Sequence, residues 1–76
     1  MQLYQNGNRD TGVIAYETGD NGIAVQFRDG SVYLYTIKSA GLAAIKKMKS
    51  LAKKGEGLTT YINQYVKDRY ENKVTI

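Results

Sequence analysis

The sequence predicts an α+β domain, with a three-stranded antiparallel meander followed by two helices packed on one face of the sheet (βββαα). Three observations support this prediction. Asp29-Gly30 lies between two runs rich in β-branched and aromatic residues, the strongest short-range signal for a β-hairpin. After Ser39 the hydrophobic period changes from that of a strand to that of a helix. A second helical pattern follows the break at Gly55-Glu56-Gly57.

The first half of the chain is predicted to form strands joined by short turns. Residues 13–17 are the first candidate strand, and the turn at 19–22 is rich in residues that tolerate a positive φ. Residues 23–28 alternate between apolar and polar side chains, and residues 31–37 are apolar on both faces. Short turns between these strands favour an antiparallel meander.

The first helix is expected to follow Ser39, a candidate N-cap. Apolar side chains recur every three residues from Leu42 to Leu51, and lysines occupy the opposite side. Gly55 stands where this helix would end, at a left-handed cap.

The second helix is expected to begin near Leu58, with Thr59 or Thr60 as its cap. Apolar side chains follow one helical face from Leu58 to Tyr70. The outer side is expected to carry the polar residues Asn63, Gln64, Lys67, Asp68 and Glu71.

The composition indicates a single domain over residues 1–76, with residues 1–10 and 73–76 loosely ordered except for a short edge strand at Leu3-Tyr4. The chain has no cysteine and no histidine, which excludes disulfides, the usual zinc sites and the common proton shuttle. No signal peptide or membrane span is visible, so a cytoplasmic location is expected. No pair of carboxylates is placed for acid–base work, so we expect neither an enzyme nor a bound cofactor or metal.

The net charge of +4 is unevenly distributed. Residues 1–37 carry two basic and four acidic side chains, whereas residues 38–76 carry nine basic and three acidic ones. An anionic partner for the second half is therefore one expectation. The alternative is a well-solvated helix.

The lysines of the first helix are the first candidate site. Their spacing along the helix would let them contact successive phosphates of a nucleic acid or other polyanion. The alternative is that they form a solvated face that keeps a small protein soluble. The main candidates are Lys46, Lys49 and Lys53, flanked by Lys47 and Lys54.

The junction between the helices is a second candidate anion site. Glycines, two lysines and the hydroxyls of Thr59 and Thr60 are close together in the sequence, as at some phosphate sites. The spacing is not that of a P-loop, and Glu56 would repel an anion. An ordinary helix–turn–helix connection is the favoured interpretation.

The pattern Phe27, Gly30, Tyr33 and Tyr35 resembles the KTSC domain, the short domain named for the C-terminus of some lysyl-tRNA synthetases. The segment 57–66 is similar to that family's closing Gly, aromatic and Asn segment, and the resemblance covers about residues 11–70. The family usually has a proline soon after the second tyrosine, and this chain has none. The resemblance implies RNA binding and a small protein of bacterial or phage origin.

Two hairpin registers are compatible with the local sequence. A two-residue loop would place Tyr33 and Tyr35 opposite the Phe27 face, where with Arg28 they could stack on bases. A three-residue loop would place them on the apolar face and turn Val32 and Leu34 outward. The resemblance favours the second register, because the family leaves the residue between its tyrosines unconstrained.

Two functional hypotheses follow. The first is a non-enzymatic nucleic-acid-binding module that uses the lysine face of the first helix. The second is an oligomeric interaction or nucleotide-binding protein, a homodimer in its simplest form, that self-associates through Val32 and Leu34 on its outer sheet face.

Overall fold

The computed structural model describes residues 2–4 and 12–74. These residues form a five-stranded antiparallel sheet in which each strand pairs with its neighbours in the chain. The strands are β1 (Gln2–Leu3), β2 (Val13–Gly19), β3 (Gly22–Phe27), β4 (Val32–Thr36) and β5 (Asn72–Val74). The helices are α1 (Ile37–Ala40), α2 (Leu42–Lys54) and α3 (Leu58–Tyr61), and α3 continues into a π-helical turn at Ile62–Val66. The predicted α+β class is confirmed.

The β3–β4 hairpin has the register of the three-residue loop. Val25 lies opposite Tyr33, and Ile23 lies opposite Tyr35. Gly30 has a φ of 93°, in the left-handed region that a residue with a Cβ rarely adopts, and it therefore permits this loop. The two tyrosines share the core-facing side of the sheet, as the favoured register predicts.

The helices cover the tyrosine side of the sheet and close a single core over it. Side chains from five elements and the π-helical turn meet there, and α2 packs against β3 and β4. The backbone N–H of Leu58 donates to the hydroxyl of Tyr4 at 3.2 Å, which joins the start of α3 to the end of β1. The largest fully buried side chains are Val13, Ile23, Val25, Tyr35, Ile45, Met48, Leu58, Ile62 and Val66.

The sheet has two strands beyond the predicted three-stranded meander, and one of them, β1 (Gln2–Leu3), overlaps the short edge strand expected at Leu3-Tyr4. β1 pairs with β2, and Tyr4 just after it is buried. The prediction of a loose C-terminal segment is wrong for Lys73 and Val74, because they pair with Tyr33 and Val32. Both added strands are short edge strands held by their neighbours, so they carry little periodic signal of their own. Residues 1, 5–11, 75 and 76 lie outside the described residues.

The entry into the helices also differs from the prediction. Thr36, rather than Ser39, is the N-cap of α1: its hydroxyl accepts from the Ser39 backbone N–H, and the Ser39 hydroxyl accepts from the Thr36 N–H. This reciprocal pair is a capping box. Gly41 then separates α1 from α2, and Gly55 ends α2 in the left-handed conformation as predicted.

The second predicted helix ends earlier than its apolar pattern. The helical segment ends at Val66, so Tyr70 leaves the helix and packs on Tyr33 with ring centroids 4.9 Å apart. The predicted threonine cap is also wrong, since the N-cap of α3 is Gly57. The Thr59 hydroxyl instead accepts from the backbone N–H of Val13 at 3.1 Å.

Candidate functional site

Two regions of the surface carry side chains suited to binding, and the first is the lysine face of α2. Lys46, Lys49 and Lys53 lie on one side of the helix and, with Thr18 and Ser50, line a concave surface of about 460 Å³. None of these five side chains is acidic. We call this region the lysine groove.

The lysine groove forms where α2 passes the β2–β3 turn. Ile45, Met48 and Ala52 are buried in the core, so the lysines on the other side of α2 face outward. The Lys49 ammonium donates to the carbonyl oxygen of Gly19 at 2.6 Å, which holds it beside the sheet. Because an ammonium has three N–H groups, Lys49 retains donors for an anion.

The two flanking lysines lie outside the lysine groove. Lys47 is exposed and does not line the concave surface. The Lys54 ammonium lies 3.4 Å from the carboxylate of Glu56. The structure therefore separates the five predicted lysines into three that converge and two that do not.

The junction between α2 and α3 does not gather its predicted anion-binding groups. The Thr59 hydroxyl faces β2 and is bonded to Val13, while Thr60 is exposed. Glu56 places a carboxylate beside Lys54 at this junction. The favoured interpretation, a helix–turn–helix connection, describes the observed contacts.

The second region is a pocket beside the β3–β4 loop. Phe27, Tyr33 and Tyr35 line it from the sheet, and Asn63 and Lys67 line it from the helical segment. Its volume is about 330 Å³. We call it the aromatic pocket; its remaining lining residues are Gly12, Arg28, Asp29 and Ile62.

The aromatic pocket and the lysine groove lie at opposite ends of β3. Thr18 of the groove is opposite Ile23, whereas Phe27 of the pocket is opposite Val13. Ile23 and Phe27 are four residues apart on β3, which at about 3.4 Å per residue corresponds to about 14 Å along the strand.

Tyr33 is the centre of the ring cluster in the aromatic pocket. Its ring meets Phe27 and Tyr70 edge-on, with centroids at 5.1 and 4.9 Å, and the Lys73 ammonium lies 5.0 Å from its centroid. Tyr35 lies nearly parallel to Tyr33 but is only 1% exposed. Because its ring is almost fully buried, Tyr35 does not form the exposed stacking surface that was its candidate role.

Charged side chains surround the aromatic pocket. The Asp29 carboxylate accepts from the backbone N–H of Ser31 at 2.9 Å, and this bond lowers the pKa of Asp29, so the group is anionic at neutral pH. Arg28 and Lys67 are exposed cations on the same lining. The Tyr35 hydroxyl donates to the Lys67 carbonyl oxygen at 3.5 Å, and burial raises the pKa of Tyr35 above its usual range.

The face of the sheet away from the helices carries the self-association candidates. Val32 and Leu34 are half-buried there, on the side opposite the tyrosines. Leu34 lies opposite Ala24, and Val32 lies opposite Val74, which is 53% exposed. These four residues form an apolar strip from β3 to β5, flanked by Gln26 opposite Val32 and by Asn72 opposite Leu34.

Two further observations apply to residues 2–4 and 12–74. Within these ranges, no three His, Cys, Asp or Glu side chains are grouped so that they could hold a metal ion. None of the described helices is long and apolar enough to cross a bilayer.

Comparisons with models of protein families, with curated proteins and with solved structures found no match to the chain. The resemblance to the KTSC domain therefore stays a prediction. Three of the residues that carry it, Phe27, Tyr33 and Tyr35, line the aromatic pocket, and the closing segment supplies Asn63.

Eight of the fourteen residues that line these two regions were not among the predicted site residues, and four of the eight are Asn63, Lys67, Thr18 and Ser50. Asn63 and Lys67 were expected on the solvent side of a helix, because periodicity shows which side of a helix is apolar but not which strand end lies beside it. Thr18 and Ser50 carried no signal, since each is an ordinary polar residue until α2 lies beside β2.

Proposed function

We propose that this protein binds nucleic acid through the lysine groove, by contacts to the phosphate backbone. The observation that supports the proposal is the convergence of Lys46, Lys49 and Lys53 on one concave surface whose described lining residues include no carboxylate. Phosphate contacts of this kind give affinity without reading the sequence.

The spacing of the three lysines suits a nucleic-acid strand. Lys46 and Lys53 are seven residues apart on a helix, which corresponds to about 10 Å at about 1.5 Å per residue. One strand of a duplex carries a phosphate about every 3.4 Å along its axis, so this length covers about three phosphates. The hydroxyls of Thr18 and Ser50 add neutral donors on the same surface.

Salt dependence of binding is the first test. Three neutralised phosphates give a slope of log K against log[salt] of about −2.1 for a single strand and about −2.7 for a duplex. Affinity should therefore fall about twenty- to fortyfold between about 50 and 200 mM salt. Fluorescence anisotropy with labelled RNA and DNA measures this. Absence of binding at the lower salt concentration would contradict the proposal.

Adjacent lysines provide a matched pair of variants. Lys46→Gln removes a lysine of the groove, whereas Lys47→Gln removes the same charge one residue further along the same helix. We expect Lys46→Gln to reduce the salt slope by about 0.7–0.9 and Lys47→Gln to change it much less. Equal effects of the two substitutions would show that binding depends on net charge rather than on the groove.

Self-association is a second candidate function, supported by the apolar strip on the open face of the sheet. Leu34 and Ala24 are cross-strand partners in this strip, as are Val32 and Val74. A second copy that covered this face would bury apolar surface now in contact with water. Sedimentation velocity over a concentration series should detect a dimer that Leu34→Lys disrupts, and a monomer at high micromolar concentration would count against it.

A further inference from the structure

We propose that the aromatic pocket binds the base of a nucleotide and contacts its phosphate through Lys67. The pocket lies at the end of β3 away from the lysine groove, so this proposal stands without the polyanion proposal. It assigns the pocket to a ligand that joins a flat aromatic ring to a negative charge.

The rings of the pocket favour a flat aromatic ligand over an aliphatic one. Phe27 and Tyr33 are partly buried, meet edge-on, and both line the pocket. Aromatic rings attract other aromatic rings in offset and edge-to-face arrangements beyond the effect of apolar burial. Tyr35 also lines the pocket but is only 1% exposed, so Phe27 and Tyr33 offer the more accessible rings.

Asn63 gives the pocket a group that can recognise the edge of a base. Its side-chain amide provides donors and an acceptor, the combination that pairs with the edge of adenine. A volume of about 330 Å³ is near the lower end of ligand sites, which are roughly 300–1,000 Å³, so the occupant is a small molecule or one unit of a chain.

The charges on the lining match the remaining parts of a nucleotide. The exposed Lys67 and Arg28 are complementary to a phosphate. Asp29 stays anionic and accepts hydrogen bonds, which suits the hydroxyls of a ribose rather than a phosphate. A peptide carboxylate would satisfy the cations but would leave the base-recognising amide and the rings without a specific partner.

An NMR titration with three small probes tests the proposal. The probes are AMP, adenosine without a phosphate, and ribose 5-phosphate without a base, followed through backbone amide shifts. We expect AMP to shift the amides of Gly12, Asn63 and Lys67 saturably, adenosine to do so more weakly, and ribose 5-phosphate to leave them unchanged. Equal shifts from AMP and ribose 5-phosphate, or no saturable shift at the pocket, would overturn the proposal.

Two substitutions identify the groups responsible. Phe27→Leu keeps an apolar side chain but removes the ring, and Asn63→Ala removes the amide from an exposed position. Each should weaken AMP binding at least about fivefold. Gln64→Ala, at the exposed neighbouring position outside the pocket, should leave it unchanged. AMP affinity that is unchanged in both Phe27→Leu and Asn63→Ala would overturn the proposal, and Asn63→Ala keeps this test valid if Phe27→Leu folds poorly.

The same titration separates this proposal from the lysine groove. If AMP shifted only the amides of α2, the pocket proposal would be overturned and the polyanion proposal would stand. Saturable pocket shifts in a Lys46→Gln variant that has lost RNA affinity would support the pocket independently.

The nucleotide could be free or part of a strand, and further probes distinguish these sources. Pocket shifts from AMP that match those from a short single-stranded oligoadenylate in affinity indicate a free nucleotide. Oligoadenylate binding at the same amides at least about tenfold tighter indicates an unpaired base in a strand. Both results support a base in the pocket. If a duplex shifted the same amides as strongly as the single strand, the proposal would be overturned, because paired bases are not available to stack in a pocket.

Discussion

Substitution of Gly22 by alanine should destabilise the protein strongly. Gly22 begins β3, between Gly19 on one neighbouring strand and Thr36 on the other. A Cβ added at Gly22 would lie far inside van der Waals contact with the carbonyl oxygen of Tyr35 and 3.1 Å from the Cα of Thr36. Both neighbours are backbone atoms of β4, so rotation of a side chain cannot relieve the clash.

Gly19 provides the matched control at the other side of the same turn. Among the described residues, a Cβ there would meet only the Gly22 carbonyl oxygen, at 4.0 Å, and Gly19 has no positive φ. Both substitutions gain the same entropic benefit from a stiffer unfolded chain, roughly 0.4–1 kcal/mol, which cancels in the comparison. Overpacking costs about 1–3 kcal/mol, so Gly22→Ala should be less stable than Gly19→Ala by about 2 kcal/mol.

Thermal unfolding followed by circular dichroism measures this difference. In a domain of this size 1 kcal/mol shifts Tm by roughly 4–8 °C, so Gly22→Ala should melt about 8–16 °C below Gly19→Ala. Indistinguishable midpoints for the two variants would refute the reasoning, because the backbone of β4 would then have to move away from the added Cβ without a loss of stability.

Two further predictions concern buried polar groups. Thr59→Val keeps the side-chain shape but leaves the N–H of Val13, a residue only 1% exposed, without its hydroxyl partner. Urea unfolding should therefore show that Thr59→Val lowers the free energy of unfolding by about 1–3 kcal/mol, a loss that Thr59→Ser largely avoids. Equal stabilities of the two variants would argue against the bond. Burial raises the pKa of Tyr35 above its unfolded value of about 10. Below about pH 10 the Tyr35 hydroxyl keeps its proton in both the folded and the unfolded state. Above about pH 10 the unfolded state loses this proton first, so the free energy of unfolding should fall by up to about 1.4 kcal/mol per pH unit. Tyr35→Phe should remove that part of the decline, and an unchanged pH slope in the variant would contradict the assignment.

The hairpin was predictable because its signals are local. Asp29-Gly30 and the alternation in β3 left two registers, and Gly30 adopts the left-handed conformation that one of them requires. The core side of α2 was also predictable, since Ile45 and Met48 follow a helical period and are buried.

The parts that sequence reasoning missed depend on contacts between distant residues. Thr59 was expected to cap its own helix, yet its hydroxyl bonds to a backbone group 46 residues away. Tyr70 fits the helical spacing after Leu58 but packs on the sheet, because spacing alone cannot show where a helix ends. The aromatic pocket combines a strand end with a helical segment, so no single stretch of sequence shows it.

The pairing of β5 with β4 has a consequence for aggregation. Val32–Thr36 is uncharged, contains no proline and consists of residues that favour strands, which is the composition of segments that recruit further strands when exposed at an edge. β5 pairs with the first three residues of this segment, from Val32 to Leu34. Glu71 extends the contact: its N–H donates to the Leu34 carbonyl oxygen at 2.7 Å, and its carboxylate accepts from the Thr36 hydroxyl at 2.8 Å. β4 and β5 are also far apart in the chain, so their pairing closes a longer loop than any of the hairpins. Opening of β5 would expose a β4 edge suited to pairing with a strand of another copy of the chain, so this short strand shields β4 from edge-to-edge association.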